Sequence, residues 1–312
     1  MSAGKIRFMV TRISFGAIYS FNRSNSHQTI PRRNPTPSTI TMAKTAAVPT
    51  ATAMDLIWND GVVPTWLAGM TVGFVALFPI LRTVFPKTTK KRGAFLLAFE
   101  LVAAVPLFMC AYYGVTGWFF QVDDFTTKEQ RLYAVSPAAV DVLQTNFAFQ
   151  TWDFAISFLH SELNKPEMLA HHSLAALLCY WGLTMPYMHY YAIYFMGVAE
   201  VSSVPLVIVD ICKYYPEFAK RFPTIDLVSK LLFALFFVLV RDMFWVYTAV
   251  TVWTDGIGVL REGNFPAKYP GYITAFVLVA NAFFSILQLV WTGKLLEGAK
   301  EVFGGKPEGK KA

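Results

Sequence analysis

The sequence predicts an all-α fold: a polytopic membrane helical bundle of about seven transmembrane helices around a polar cavity. Three observations carry this. Of the 312 residues, 55% are hydrophobic and only 15% charged, outside the range of soluble domains. Apolar runs of spanning length recur along the chain. Ionisable residues interrupt these runs: Asp153, the adjacent pair His171-His172, Glu200 and Arg241-Asp242. A charged side chain at the bilayer centre costs about 3 kcal/mol on insertion scales, so such residues turn toward a protein interior or a cavity.

Residues 1–54 come first and stand apart. They carry Lys5, Arg7, Arg12, Arg23, Arg32, Arg33 and Lys44 and no acidic residue. The formal charge of +7 therefore belongs to this segment, since the rest balances 20 basic against 20 acidic side chains. The basic balance is no sign of nucleic-acid binding. The segment is expected to be a disordered basic tail, or sequence upstream of a true start at Met42 or Met54. Its Ser, Thr, Arg and Pro content and lack of acid also fit an organellar transit peptide. The run Phe8 to Phe21 is interrupted by Arg12 and does not make a secretory signal.

Seven spans follow, at 62–85, 94–120, 139–160, 168–185, 188–209, 226–253 and 271–293. They divide the chain into the first transmembrane helix with its basic loop (55–93), a main helical domain (94–295) and a C-terminal tail (296–312). Pro79, Pro106 and Pro205 lie inside spans, which membrane helices tolerate because neighbours re-satisfy the freed carbonyls. The first loop holds Lys87, Lys90, Lys91 and Arg92, and the next holds Asp123, Asp124 and Glu129. The positive-inside rule places the basic loop and the C-terminus in the cytosol; the basic N-terminal tail argues the other way. The end, Lys310-Lys311-Ala312, has Gly309 where a dilysine retrieval signal needs lysine. Cys110, Cys179 and Cys212 have no metal-ligand spacing and read as buried, reduced thiols.

Polar residues inside the spans fall on helical faces. Asn146, Gln150, Asp153, Ser157 and His160 are spaced four, three, four and three, and share one face. Asn281, Ser285, Gln288 and Thr292 repeat the spacing in the last span, and Glu200 and Ser203 share a face of the fifth. Amides and hydroxyls alone would serve as interhelical hydrogen-bond glue. The ionisable set adds a polar cavity to that reading. His171 and His172 diverge by about 100° on a helix, so one is expected to enter the cavity while the other bonds a neighbour. A di-iron site needs HxxHH clusters, whereas Met168 stands at the first such position and the chain has five histidines. A single zinc on His160, His171 or His172 and Asp153 lacks a recognised spacing, and no metal is assigned.

Asp153-Phe154-Ala155, then Glu167-Met168-Leu169-Ala170-His171-His172-Ser173, then Ala199-Glu200-Val201-Ser202-Ser203-Val204-Pro205, then Leu239-Val240-Arg241 resemble the TLC domain, a family that includes the ceramide synthases. Ceramide synthases follow the His pair with an HDxxD motif that supports acyl transfer from acyl-CoA to a sphingoid amine. Here Glu200 keeps one acid and a serine stands for the second, and the homeobox-like insertion is absent. The chain is thus more similar to the TLC-domain-containing group outside the true synthases, whose members are linked to membrane lipid composition. The resemblance implies a role in membrane lipid homeostasis by lipid binding, sensing or remodelling, in the endoplasmic reticulum, or in an organelle membrane if the tail is a transit peptide. Its alternative is an acyl-CoA-dependent N-acyltransferase of the ceramide synthase type, without a resident cofactor. On it, His171, His172, Asp153 and Glu200 are the catalytic candidates. Arg241, Asn146, Gln150, Ser157, His160 and Ser203 are the substrate-binding ones. A third reading is structural, with Arg241 paired to Glu200 or Asp153. Membrane lipids are the expected partners, with a homo-oligomer open, and a seven-helix receptor is the outsider.

Overall fold

The computed structural model describes residues 55–84, 93–121, 125–263, 265–266 and 269–303, all within one compact unit. The basic tail, the loop Lys87–Arg92, Asp123-Asp124 and the C-terminal lysines lie outside the described residues. After a short π-turn at Asp55–Asn59, the helices are α1 (Val62–Val84), α2 (Gly93–Gln121), α3 (Lys128–Tyr133), α4 (Pro137–Ser157) and α5 (Pro166–Thr184). Then come α6 (His189–Phe195), a 3-10 turn (Val198–Val201), α7 (Ser203–Tyr214), α8 (Pro216–Arg221) and α9 (Pro223–Phe236). A π-helical stretch (Phe237–Phe244) joins α9 to α10 (Trp245–Glu262), and α11 (Gly271–Phe303) closes the order. No strand occurs among the described residues, and the chain is an all-α polytopic bundle.

Five described stretches are long and apolar enough to cross a membrane: Val62–Val84, Gly93–Phe120, His189–Tyr214, Pro223–Glu262 and Gly271–Lys300. The expected spans at 139–160 and 168–185 do form helices, α4 and α5, but neither belongs to this set, so the count of seven is not reached on this measure. The reason is visible in α4, where Gln144, Thr145, Asn146, Gln150, Asp153 and Ser157 are all buried. Such a helix is kept in the membrane by its neighbours, which satisfy its polar face, more than by its own apolarity.

The N-terminal ends of α4 and α5 are set locally. Ser136 caps α4 by accepting from Ala139 N–H, and Pro137 and Pro166 occupy first-turn positions where a missing N–H costs nothing. α1, α2 and α4 then pack through aromatic side chains. Phe99 stacks on Trp152 at 5.7 Å and Phe95 meets Phe74 edge-on at 4.9 Å. α5 ends in a turn at Met188, whose φ of 57° lets the chain reverse into α6.

The fifth expected span is broken at mid-length into α6, the 3-10 turn and α7. Asn146 Nδ2 donates to Met196 O at 2.8 Å, satisfying a carbonyl freed by the break. Gly114 of α2 lies against Gly197, and a Cβ on Gly114 would stand 2.3 Å from Gly197 backbone. Two glycines thus let α2 approach the break at backbone distance, and Glu200 follows directly from it.

The sixth expected span is longer than foreseen, running from Pro223 to Glu262 through the π-helical stretch that contains Arg241. A π-turn carries an extra residue per turn and re-aims the side chains beyond it, and such turns occur often at functional sites. At one end of the bundle, α3 carries a capping box between Thr127 and Gln130. Its Arg131 makes two bonds to Asp255 of α10, at 2.7 and 2.9 Å. Tyr191 OH donates to the same carboxylate at 2.5 Å.

Candidate functional site

Two polar clusters meet at the centre of the bundle. In the first, α4 presents Gln150, Asp153 and Ser157 to His172 of α5. His172 Nδ1 is 2.7 Å from Gln150 Oε1, and His172 Nε2 is 3.4 Å from Asp153 Oδ1. Ser157 Oγ donates to Asp153 Oδ1 at 3.0 Å. An amide oxygen only accepts, so Nδ1 carries a proton. Nε2 then faces the carboxylate.

In the second cluster, Glu200 pairs with Arg241 through serines. Ser203 Oγ donates to Glu200 Oε2 at 2.5 Å and accepts from Arg241 Nη2 at 3.0 Å. Arg241 Nη2 reaches Glu200 Oε2 directly at 3.5 Å, and Arg241 Nε donates to Ser202 Oγ at 2.8 Å. The guanidinium carbon stands 5.8 Å from the Trp291 ring centroid. Both charges are about nine-tenths buried, and the pair is neutral overall. Ser202 and Ser203 thus hold the arginine together with Glu200.

His171 lies between the clusters. Its ring is perpendicular to His172 at 5.2 Å and packs edge-on against Phe284 at 5.2 Å and Trp291 at 5.5 Å. His171 Nδ1 is buried without a hydrogen-bond partner among the described residues, and the same holds for both amide atoms of Gln288 on α11. A native interior rarely leaves three such atoms unpaired unless water or a ligand meets them.

They face a cavity. At its polar end it is lined by Gln150, His171, Glu200, Arg241, Asn281 and Gln288. Farther along, Leu178, Trp181, Met185, Phe195, Val252 and Val277 make an apolar wall, and Tyr191 stands at the end held by Asp255. From His171 to Met185 the cavity follows about 21 Å of helical rise along α5. Its volume is about 90 Å³, several times the roughly 10–15 Å³ that one water needs. A long apolar slot with a few convergent polar groups at one end is the form of a site for an amphipathic molecule.

The divergence expected of the histidine pair is realised: His171 enters the cavity and His172 bonds its neighbours on α4. Of the other sequence-derived candidates, Gln150, Glu200 and Arg241 line the cavity. Asp153, Ser157 and Ser203 stand behind, each bonded to a cluster member. Asn146 is completely buried and bonds the Met196 carbonyl. His160 sits in the turn after α4, where Nδ1 accepts from Glu162 N–H at 3.2 Å and the ring stacks on Phe95. Among the described residues, no group of three or more His, Cys, Asp or Glu side chains could hold a metal ion.

Sequence reasoning named the stripe containing Gln288 without assigning it to the site, and it passed over Ser202, Trp245 and the Arg131–Asp255–Tyr191 cluster. Ser202 had a signal, its place beside Glu200 and Ser203. Arg131 and Asp255 had none, being 124 residues apart.

The family model for the TLC domain matches residues 98–297. No curated protein matches the chain.

Proposed function

Because the chain belongs to the TLC domain family, we propose that its central cavity holds one membrane lipid and that the protein acts in membrane lipid homeostasis by binding, sensing or remodelling that lipid. The chain is an integral membrane protein, and the endoplasmic reticulum is the proposed compartment. One observation carries the reading: an apolar slot is lined at its polar end by His171 and Gln288, residues that hold buried polar atoms without partners among the described residues. The lipid's polar group would meet those atoms, and its acyl chain would lie along Leu178, Trp181 and Met185. The Glu200–Arg241 pair presents a hydrogen-bonding but neutral wall, which suits a zwitterionic or uncharged polar group better than a free anion.

The test is the whole-cell lipidome of cells expressing the protein or its His171→Ala variant at matched levels. A histidine-dependent shift in phospholipid acyl composition supports the reading. Identical lipidomes refute a lipid function that depends on His171.

The second reading is N-acyl transfer with acyl-CoA as co-substrate, and the free nitrogen of His171 is what favours it. That imidazole would take the proton of an amine as the amine attacks the thioester carbonyl, the C–S bond breaking and CoA leaving as its thiol. Arg241 is already paired to Glu200, so it serves as a positioning group rather than a phosphate contact. In cells lacking their own ceramide synthases, new ceramides that vanish in His171→Ala would establish this reading in place of the first.

A further inference from the structure

The central cavity is not the only hollow that Arg241, Trp245 and Gln288 touch. On the far side of these three residues a second hollow of about 870 Å³ runs along the seam between α10 and α11. It is lined by Val246, Ala249, Val250, Trp253 and Leu289, among others, with Asp242 and Arg261 toward its ends. Val246, Val250 and Leu289 are 59%, 61% and 72% exposed, as apolar side chains facing lipid are. From Trp245 to Arg261 the groove follows about 24 Å of helix, most of the 30 Å hydrocarbon core.

Arg241, Trp245 and Gln288 therefore border both the bilayer-facing groove and the interior cavity. Arg241 is tied inward to Ser202, Ser203 and Glu200. The Trp245 indole is tied across the seam, donating to Ser285 Oγ at 3.0 Å, and farther along Trp253 donates to Asn281 Oδ1 at 3.0 Å. Of the three, Gln288 has an amide without a hydrogen-bond partner among the described residues. It can rotate away without breaking a hydrogen bond, whereas each of its neighbours must give one up.

We infer that the α10–α11 groove is the lateral portal through which the acyl chain of a bilayer lipid enters the central cavity, with Gln288 as its movable gate. The occupant follows from the surroundings: the groove is apolar, runs nearly across the hydrocarbon layer and continues into a slot of chain-like form. The two indole bonds place both tryptophans in the seam.

This inference rests on the cavity holding a lipid, and the experiment separates the two. Purified protein carrying its native lipid is mixed with micelles containing an excess of fully deuterated lipid extract from the expression host. Native mass spectrometry then follows the mass of the bound lipid over time. Val250→Trp fills the groove, and Tyr247→Trp, on the same helix but outside the groove, controls for an added indole. The portal predicts that Val250→Trp retains as much lipid as wild type but exchanges it at least tenfold more slowly, while Tyr247→Trp exchanges at the wild-type rate. Equal exchange rates for all three, with lipid bound, overturn the portal and leave the cavity standing. Absence of bound lipid from wild type overturns the cavity reading and the portal with it.

Discussion

Gln150 Oε1 accepts the Nδ1–H of His172 at 2.7 Å across the α4–α5 interface, and this contact divides the labour of the histidine pair. With His172 held from behind by α4, His171 must point about 100° away, into the cavity.

The division predicts opposite phenotypes for neighbouring substitutions. His172→Ala strands Gln150 and leaves Asp153 with Ser157 alone, and a buried polar group left unpaired costs about 1–3 kcal/mol. Thermal unfolding in detergent should show a clear loss of stability. His171→Phe removes Nδ1, which has no partner among the described residues, and keeps a ring against Phe284 and Trp291, so its unfolding temperature should stay near that of wild type. Equal losses for both would mean that the two histidines share one structural role.

Glu200 and Arg241 should behave as a buried pair. Removing one partner from such a pair costs about 3–5 kcal/mol, because the other charge is left in a low-dielectric interior. Glu200→Gln and Arg241→Met should each destabilise strongly, and the double variant should cost less than their sum. A double-mutant cycle by thermal unfolding reads this coupling directly. Strict additivity would show that the serines, rather than Glu200, hold the arginine.

Gly114→Ala should be severe although the change is one methyl group. The new Cβ would meet Gly197 backbone at 2.3 Å, and backbone cannot move aside as a side chain can. Overpacking of this kind costs about 1–3 kcal/mol or more. Gly69→Ala on α1, where the Cβ has open space, is the matched control. Expression and unfolding temperature should fall for the first and hold for the second.

The sequence was most legible where periodicity carried the signal. Four of the five residues expected on one face, Asn146, Gln150, Asp153 and Ser157, do share a buried face of α4, whereas His160 falls in the turn beyond the helix end; the acid, both histidines and the arginine do gather at one place. The same polar residues that revealed the site hid the nature of α4 and α5. A helix whose polar face is satisfied by neighbours has the apolarity of neither a lipid-facing span nor a soluble helix. The break in the fifth span was not legible, because the 3-10 turn after Gly197 depends on Gly114 and Asn146 from two other helices. Arg131 and Asp255 were invisible for the same reason: their bond exists only once α3 folds onto α10.

Filling the cavity tests the central claim most directly. Ala175 is buried on α5 and lines the cavity wall, so Ala175→Phe puts a ring where the acyl chain should lie. Lipid bound to the purified protein is then counted by native mass spectrometry beside wild type, with helical content checked by circular dichroism. The account predicts one lipid on wild type and none on a folded Ala175→Phe. A folded variant that keeps the same lipid in the same amount would contradict it.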